Sequence, residues 1–317
     1  MRFVLNAEQR LFAETLHALL AEAGTAKAIR AWAAGDTGPG RALWAALAEA
    51  GVFALAVPES SGGAGPLPVE LVLAAEQLGR HAVPGPYVET LAAAELLGHL
   101  GDTADRLPRI AAGKTLVSLA LPPVVPYALD ADVADLVLSA EDGVVREAAA
   151  DGTPMASLDP ARRLFPVVPG DPLASGTAGH DFGTLLCAAQ QLGLGRALLD
   201  VTVEYAKARR QFGRPIGEFQ AVKHRLADVL VELEFARPLL FGAALAYRTP
   251  EFARDVSAAK VAASAASYAA ARAALQVHGA IGYTDEYDPS LWIRKARALY
   301  SAWGSPAAHR ARVAEAL

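Results

Sequence analysis

The stretch Ala208–Gln220, which reads ARRQFGRPIGEFQ, concentrates side chains that can bind an anion. Arg209, Arg210 and Arg214 lie on either side of Phe212, between two long patterns that are typical of helices. Guanidinium groups donate paired hydrogen bonds to phosphate or carboxylate oxygens. Glycine and proline are ordinary turn residues, but no turn requires arginines and a phenylalanine at these positions. The cluster therefore predicts a binding role for this loop.

A second stretch, Leu275–Tyr283, reads LQVHGAIGY and follows a long alanine-rich pattern. One interpretation is a helix C-terminus that ends in glycine caps. The other is a helix end whose small residues let the backbone approach a ligand closely. The residues of this stretch alone leave both interpretations open.

Three other patterns have plainer explanations than chemistry. Ala112–Thr115 looks like the end of a phosphate-binding loop, but Pro108 takes the place of that motif's first glycine, so a helix end before a strand fits better. Gly193-x-Gly195 lies inside a predicted helix with no strand before it, which excludes the dinucleotide-binding fingerprint. Cys187 sits in an apolar helical run, which favours a buried small hydrophobe over a nucleophile.

Composition narrows the class of protein. The 317 residues carry a formal net charge of −5 and no basic stripe with interleaved aromatics, so no nucleic-acid partner is expected. The seven histidines do not cluster at metal-ligand spacing, so no metal site is expected. The start lacks a secretory apolar core, no uncharged apolar run approaches a membrane span, and a single cysteine fits a reducing compartment. These features predict a cytoplasmic protein without membrane contact.

The pattern of the chain predicts three segments. An N-terminal helical domain is expected over residues 1–115, a reduced β domain over residues 116–175, and a C-terminal helical bundle over residues 176–317. About four helices are expected in the first segment, beginning after the capping-box pattern of Asn6 and Gln9. In the second segment the chain changes to short runs rich in β-branched residues, which indicates strands.

Turn residues and long periodic runs predict the elements of the last two segments. Asp142-Gly143 predicts a hairpin turn, and the Pro/Gly-rich residues 169–179 predict a linker. Four helices are expected after it: Thr184–Arg209, Phe219–Ala246, Glu251–His278 and Asp288–Leu299. The chain is 53% hydrophobic, and the alanine-rich residues 264–275 favour burial on most sides. Such a surplus of apolar surface predicts a large subunit interface.

Residues 205–228 and 276–287 together resemble the signature of the acyl-CoA dehydrogenase family. Further segments that resemble the family are Leu43–Val52, Val57–Glu59, Glu76–Arg80 and Leu291–Arg294. The resemblance covers nearly the whole chain. It implies an N-terminal α-helical domain, a small central β domain and a C-terminal four-helix domain, which is a mainly α fold.

The resemblance also implies a cofactor and a reaction. The family binds FAD across a subunit interface, desaturates an acyl-CoA substrate between Cα and Cβ, and passes electrons to an electron-transfer flavoprotein. By resemblance, Arg209, Gln211 and Phe212 would contact the pyrophosphate and adenosine of the neighbouring subunit's FAD. The same adenosine end would be lined by three further residues: Gln276, Gly279 and Ala280.

The chain departs from the family in the residues that the chemistry needs. Trp303 stands at the commoner position of the catalytic glutamate, and the alternative position falls on Gly183, followed by Thr184. The segment of the β domain that holds the flavin ring in the family is missing between Leu121 and Ala134. Removal of an α-proton needs a positioned base. We therefore expect no catalytic residue in this chain.

These departures resemble the short, non-catalytic subunit of actinobacterial α2β2 steroid-CoA dehydrogenases, in which a longer acyl-CoA dehydrogenase subunit supplies the glutamate. Two alternatives stay open. The chain could be a self-sufficient homo-oligomer with a relocated base, for which the candidates are Asp181, Asp285 and Glu286. It could also be a flavin-free scaffold or CoA-binding protein that kept the fold.

Overall fold

A computed structural model of the chain describes residues 4–101, 105–176 and 179–317. Its first part contains six α-helices: α1 (Ala7–Glu22), α2 (Thr25–Ala33), α3 (Gly38–Glu49), α4 (Pro68–Arg80), α5 (Tyr87–Leu100) and α6 (Arg106–Ala111). The predicted capping box begins α1, since the backbone N–H of Gln9 donates to the Asn6 side chain at 2.8 Å. About four helices were expected because α2 and α6 are too short to show a long apolar period.

Six short strands follow: β1 (Val117–Ala120), β2 (Ala128–Leu129), β3 (Leu136–Glu141), β4 (Val144–Ala150), β5 (Leu164–Phe165) and β6 (Val167–Ser175). Four of them form a sheet in the order β1-β3-β4-β6, and β2 pairs with β5. In the larger sheet β1 and β3 are parallel, while the other neighbours are antiparallel. The predicted turn at Asp142 and Gly143 joins β3 to β4, with both residues at positive φ.

The linker predicted over residues 169–179 is wrong for most of its length, because β6 extends to Ser175. This strand carries Pro169 and Pro172, which normally indicate a loop. The sheet tolerates these prolines because β6 is an edge strand. A proline lacks the backbone N–H, but at an edge this need not cost a hydrogen bond to a neighbouring strand. Residues 177 and 178 of that predicted linker lie outside the described residues.

The last part of the chain is helical again. Its elements are α7 (His180–Ala208), β7 (Arg210–Gln211), β8 (Arg214–Pro215), α8 (Gln220–Leu245), α9 (Phe252–His278), α10 (Pro289–Leu299) and α11 (Pro306–Glu315). The four predicted C-terminal helices are confirmed, and Pro238 lies inside α8 without ending it. The short α11 was not predicted. The mainly α fold with a small central β layer is confirmed.

The central element of the fold is α7, which packs against α4, α8 and α9. It crosses α4 at two glycines. A methyl group at Gly79 would overlap the Gln190 carbonyl oxygen, and one at Gly193 would overlap the Glu76 carbonyl oxygen. Gly193 therefore permits the close approach of two helices, a role that explains a glycine inside a helix without any nucleotide.

Several expected absences can be examined in the described ranges. There, no helix combines the length and the apolar character needed to cross a membrane, and no group of three or more His, Cys, Asp or Glu side chains suits a metal ion. Cys187 is buried in α7, and its burial raises the pKa of the thiol, which fits a small core hydrophobe. The domain limits and the cytoplasmic location stay predictions.

We expect Gly193→Ala to lower the free energy of unfolding by at least about 1–3 kcal/mol, because the new methyl group forces α4 and α7 apart. Urea-unfolding midpoints would measure this loss. Gly98→Ala in α5 is the matched control, since its methyl group would meet Pro58 at an ordinary 3.5 Å and alanine favours the helix. Equal stability of Gly193→Ala and the wild type would contradict the packing role.

Candidate functional site

The arginine loop, defined here as residues 209–218, begins where α7 ends. Its strands β7 and β8 pair antiparallel, and Phe212 and Gly213 form the turn between them at φ of 53° and 82°. A phenylalanine in this left-handed conformation costs on the order of 1 kcal/mol. The Phe212 side chain is also 89% exposed. An exposed aromatic ring in a strained turn indicates contact with another molecule.

The polar side chains of this loop are available for binding. Arg209 and Gln211 are exposed, and within the described ranges neither side chain makes a hydrogen bond or an ion pair. Arg214 differs, because its guanidinium carbon lies 4.2 Å from the centroid of the Phe219 ring. The five N–H donors of Arg209 are therefore free to bind an anion from outside the chain.

The second predicted stretch is the C-terminal end of α9. Gly279 ends the helix at φ 66°, as the glycine-cap interpretation predicts. Gln276, Gly279 and Ala280 are all exposed. The end of α9 lies beside the end of α7, because the His278 and Tyr205 rings are 4.3 Å apart.

The two stretches therefore share one end of the helical bundle. We call the six predicted binding residues there the arginine face: Arg209, Gln211, Phe212, Gln276, Gly279 and Ala280. The face offers a guanidinium group, two amide side chains, an aromatic ring and an open stretch of backbone. That set suits a ligand with phosphate oxygens and a heteroaromatic ring.

A crevice of about 480 Å³ lies in a different part of the chain. Its walls come from residues 124–129 and 157–164 of the β layer, from Glu89 of α5, and from residues 297–303 at and after the C-terminal end of α10. Trp303, which stands where the family's catalytic glutamate is expected, forms part of this lining.

Trp303 closes the inner end of the crevice. It is 3% exposed and at φ 58°, and its ring packs so tightly on Gly183 that a methyl group there would overlap it. Its carbonyl oxygen accepts a hydrogen bond from His309 Nε2 at 2.8 Å. Both residues at which the family's glutamate was sought therefore meet at one point, and neither carries a carboxylate.

Side chains from two helices hold the backbone before Trp303. The Leu299 carbonyl oxygen accepts hydrogen bonds from Gln191 Nε2 at 2.8 Å and from Lys260 Nζ at 3.2 Å. Lys260 is fully buried, and this burial lowers the pKa of its ammonium group. Its Nζ also donates to Ser264 Oγ at 3.0 Å, so the buried charge is well hydrogen-bonded.

Glu89 is the residue of the crevice that the sequence analysis missed. It is 3% exposed, and the indole N–H of Trp303 donates to its Oε1 at 3.3 Å. Burial raises the pKa of Glu89, although Arg162 and the hydrogen bond from Trp303 oppose the rise. The available signal was a glutamate in the mostly apolar run Val88–Leu97, since such a carboxyl group is buried with its helix, as Glu95 of the same run is.

None of the three candidate relocated bases lines the crevice. Asp181 binds His180 and Arg312 at 3.1 and 2.7 Å. Burial raises its pKa, but these hydrogen bonds outweigh burial and bring it to about 2, which makes Asp181 a weak base. Asp285 is an 81% exposed partner of Arg294, and Glu286 lines a separate surface groove.

The arginine face and the crevice lie at opposite ends of α7. Gly183 contacts the crevice residue Trp303, and Ala208 precedes the arginine loop. At 1.5 Å per residue these positions are about 38 Å apart along the helix. The arginine face and the crevice therefore lie far apart within one chain.

Comparison with known proteins agrees with this geometry. Residues 6–114 match the N-terminal domain of acyl-CoA dehydrogenases, and residues 177–317 match their C-terminal domain. The acyl-CoA dehydrogenase IpdE2 from Mycobacterium tuberculosis is 38% identical over 294 residues, which cover 91% of each chain. The chain belongs to the acyl-CoA dehydrogenase family.

Solved structures share the fold of this acyl-CoA dehydrogenase chain. The ChsE4-ChsE5 complex from Mycobacterium tuberculosis matches with a TM-score of 0.86 and 24% identity, over 99% of this chain and 98% of that chain. The Tcur3481-Tcur3483 steroid acyl-CoA dehydrogenase, as a G363A variant, matches with a TM-score of 0.84 and 24% identity, over 97% of each chain. At this level of identity the similarity shows the fold alone.

Acyl-CoA dehydrogenases use FAD, and solved structures of the fold contain it. The arginine face fits one part of that cofactor, because an unpaired guanidinium group suits a pyrophosphate and the exposed helix end permits close contact. The crevice fits the family's chemistry poorly, because Trp303 cannot accept a proton. In this acyl-CoA dehydrogenase chain the arginine face therefore fits part of the cofactor, whereas Trp303 does not fit the role of the family's glutamate.

We expect Asp181→Asn to lower the free energy of unfolding by about 1–2 kcal/mol at pH 7, through loss of charge-assisted hydrogen bonds. The pKa of Asp181 is depressed from 3.8 to about 2 on folding, so this stabilisation is present above pH 4 and is lost as pH falls towards 2. Urea unfolding at several pH values would measure it. The control is Asp285→Asn at an exposed ion pair, which should have little effect. A deficit that persists unchanged to pH 2 would contradict the assignment.

Proposed function

We propose that this chain is one subunit of an FAD-dependent acyl-CoA dehydrogenase that desaturates an acyl-CoA between Cα and Cβ. In this proposal its arginine face completes the FAD site of a partner subunit, and the partner supplies the catalytic glutamate. The observation that carries the proposal is the distance of about 38 Å between the arginine face and the chain's own crevice. A cofactor bound at the crevice of this chain is out of reach of its own Arg209.

Each residue of the arginine face has a distinct role in the proposal. The guanidinium group of Arg209 pairs with pyrophosphate oxygens, and the exposed ring of Phe212 packs on the adenosine side. Gln276 offers an amide to the same part, while Gly279 and Ala280 let it approach the backbone. FAD, when bound, supplies the acceptor for the hydride that leaves Cβ. This chain holds and orients the cofactor and moves no proton itself.

The identity of the partner follows from what this chain lacks. A complete site needs a carboxylate base and a segment that holds the flavin ring, and both belong to longer acyl-CoA dehydrogenase subunits. A longer family member in an α2β2 assembly supplies both. The solved ChsE4-ChsE5 complex, which has the same fold, supports an assembly of two different chains.

An apolar stripe on α8 supports a large subunit interface. Val231, Phe235 and Leu239 lie on neighbouring turns of the helix and are between 46% and 73% exposed. Such a stripe on a helix is ordinarily covered by another subunit. We place the contact with the longer subunit there.

The substrate and the electron acceptor are proposed from the relatives. The match to a solved steroid acyl-CoA dehydrogenase supports a CoA thioester of a steroid side chain as the acyl group. Membership of the family supports an electron-transfer flavoprotein as the acceptor.

A self-sufficient dehydrogenase is the second candidate, and Glu89 favours it. Among the crevice residues that the structure describes, Glu89 is the one carboxyl group, and it contacts Trp303. It replaces Asp181, Asp285 and Glu286 as the base to test. Desaturation of an acyl-CoA by the single chain, abolished by Glu89→Gln, would support this candidate over the heteromeric one.

We expect about one FAD per heterodimer when this chain is coexpressed with a longer homologue, and almost none in the chain alone. Arg209→Ala should weaken flavin retention by the complex about tenfold or more, because charge-assisted hydrogen bonds to the pyrophosphate are lost. Flavin absorbance per protein after gel filtration measures both quantities.

Arg310→Ala is the matched control for the flavin experiment, because Arg310 is an exposed arginine on α11, outside the arginine face. It should retain wild-type flavin. A full complement of flavin in the chain alone would overturn the heteromeric assignment. Unchanged retention in Arg209→Ala would overturn the role of the arginine loop.

Phe235→Asp should disrupt the proposed assembly, because a charge placed in the centre of the apolar stripe cannot be paired there. Gel filtration with light scattering should show the heterotetramer dissociating into smaller species. Leu11→Asp on α1 provides the control, since Leu11 is similarly exposed at 65% but lies on another helix. An intact heterotetramer in Phe235→Asp would place the interface elsewhere.

A further inference from the structure

A second polar pocket, of about 260 Å³, lies between α4, α7 and α8, and the proposed function does not use it. Three guanidinium groups line this pocket, one from each helix: Arg80, Arg196 and Arg237. Two carboxyl groups, from Glu76 and Glu234, line it as well. Three guanidinium groups against two carboxyl groups leave an excess of positive charge, which favours an anion.

Two of the arginines have one carboxylate partner each. Arg80 donates to Asp200, a 47% exposed side chain that does not line the pocket, and Arg196 is paired with Glu234. Exposed ion pairs of this kind contribute little. A guanidinium group carries five N–H donors, so both arginines keep donors for a further ligand.

Arg237 is the least satisfied of the three. Its Nε lies 3.8 Å from Glu76 Oε1, which is an ion pair beyond hydrogen-bond distance, and its guanidinium carbon lies 4.9 Å from the centroid of the Phe241 ring. Its side chain makes no hydrogen bond in the described part of the chain. Arg237 is therefore ready to donate to an anion in the pocket.

The pocket also holds two acceptors that need a donor. Gln77 lines it, and Gln77 Oε1 is buried without a hydrogen-bond partner among the described residues. Glu76 is 14% exposed, and burial raises its pKa to about 7, although Arg237 and the other two arginines oppose the rise. An unsatisfied buried oxygen is costly, so this pair favours a ligand that brings a proton of its own.

We propose that this pocket binds phosphate in a protonated form. The three arginines donate to the oxygen atoms of the ion, and its O–H groups donate to Gln77 Oε1 and Glu76. Sulfate has the same tetrahedral shape but carries no proton at neutral pH, so it would leave these acceptors unpaired. The pocket is small for a cofactor, but it has room for such an ion together with water.

This inference does not depend on the proposed function. Gly193, which lines the pocket, lies about 15 Å along α7 from Gly183 at the crevice and about 22 Å from Ala208 before the arginine loop. Phosphate binding is measured on the full chain without flavin and without a partner, whereas the proposed function is tested by flavin retention in the complex. The two can therefore fail separately.

The first test compares phosphate with sulfate. Each is titrated into the full chain by isothermal calorimetry at pH 7 and constant ionic strength, because salt screens exposed charges. We expect phosphate to bind about tenfold more tightly or better, since it alone brings a donor for the two acceptors. Equal binding of the two ions, or no binding of phosphate, would overturn the proposal.

Glycerol 3-phosphate distinguishes the two sources of a phosphate group. Weaker binding of this probe than of phosphate identifies the free ion as the ligand, as the small volume of the pocket favours. Tighter binding identifies the end of a phosphomonoester, and both results support a phosphate site. Failure of both phosphate and the ester to bind would overturn it.

Arg237→Gln should weaken phosphate binding about tenfold or more, because it removes a charged donor and keeps much of the side chain's length. Arg237 is 41% exposed, so the variant should fold. Arg310→Gln is the matched control, since Arg310 is an exposed arginine on α11 outside the pocket, and it should bind phosphate as the wild type does. Unchanged binding in Arg237→Gln would overturn the site.

Glu76→Gln tests the preference for a protonated ion. An amide donates to sulfate and accepts from phosphate, so the preference for phosphate should fall about threefold or more. Glu70→Gln is the matched control, because Glu70 is a half-buried glutamate of the same helix that does not line the pocket. It should keep the full preference. A preference that is unchanged in Glu76→Gln would overturn the role of Glu76.

Discussion

The close packing of α7 against its neighbours is the constraint on which the rest of the structure depends. Gly79 and Gly193 let α4 and α7 meet backbone to backbone, and α9 covers another side of the same helix. A helix held in this way cannot bend over its 29 residues without breaking that packing. The rigid length of α7 keeps the arginine face and the crevice apart.

The turn from Leu299 to Trp303 is the second constraint, because side chains from three helices bind its backbone. Gln191 of α7 and Lys260 of α9 hold its first carbonyl oxygens, and His309 of α11 holds the last. A fully buried lysine is costly unless its donors are satisfied, and here they bind carbonyl and hydroxyl oxygens. Hydrogen bonds therefore hold the backbone at Trp303 firmly. The side chain at this position is an indole, where the family has a carboxylate.

The two ends of the molecule differ in how their polar groups are satisfied. At the arginine face, Arg209 and Gln211 are exposed and have no partner of their own in the described ranges, so they suit an external ligand. In the crevice, Glu89 is buried and bonded to Trp303, so its chemistry is set by burial.

The sequence by itself determined the class of fold and the composition of the arginine face. Long apolar periods give α7, α8 and α9, and motifs such as Arg209–Phe212 are local, so they are visible along the chain. Only the tertiary structure decided the extent of strand β6 and the residues that meet in the crevice. Strand β6 exists because an edge position tolerates Pro169 and Pro172. Glu89 meets Trp303 across 214 positions of sequence, and no local pattern encodes a contact between residues so far apart.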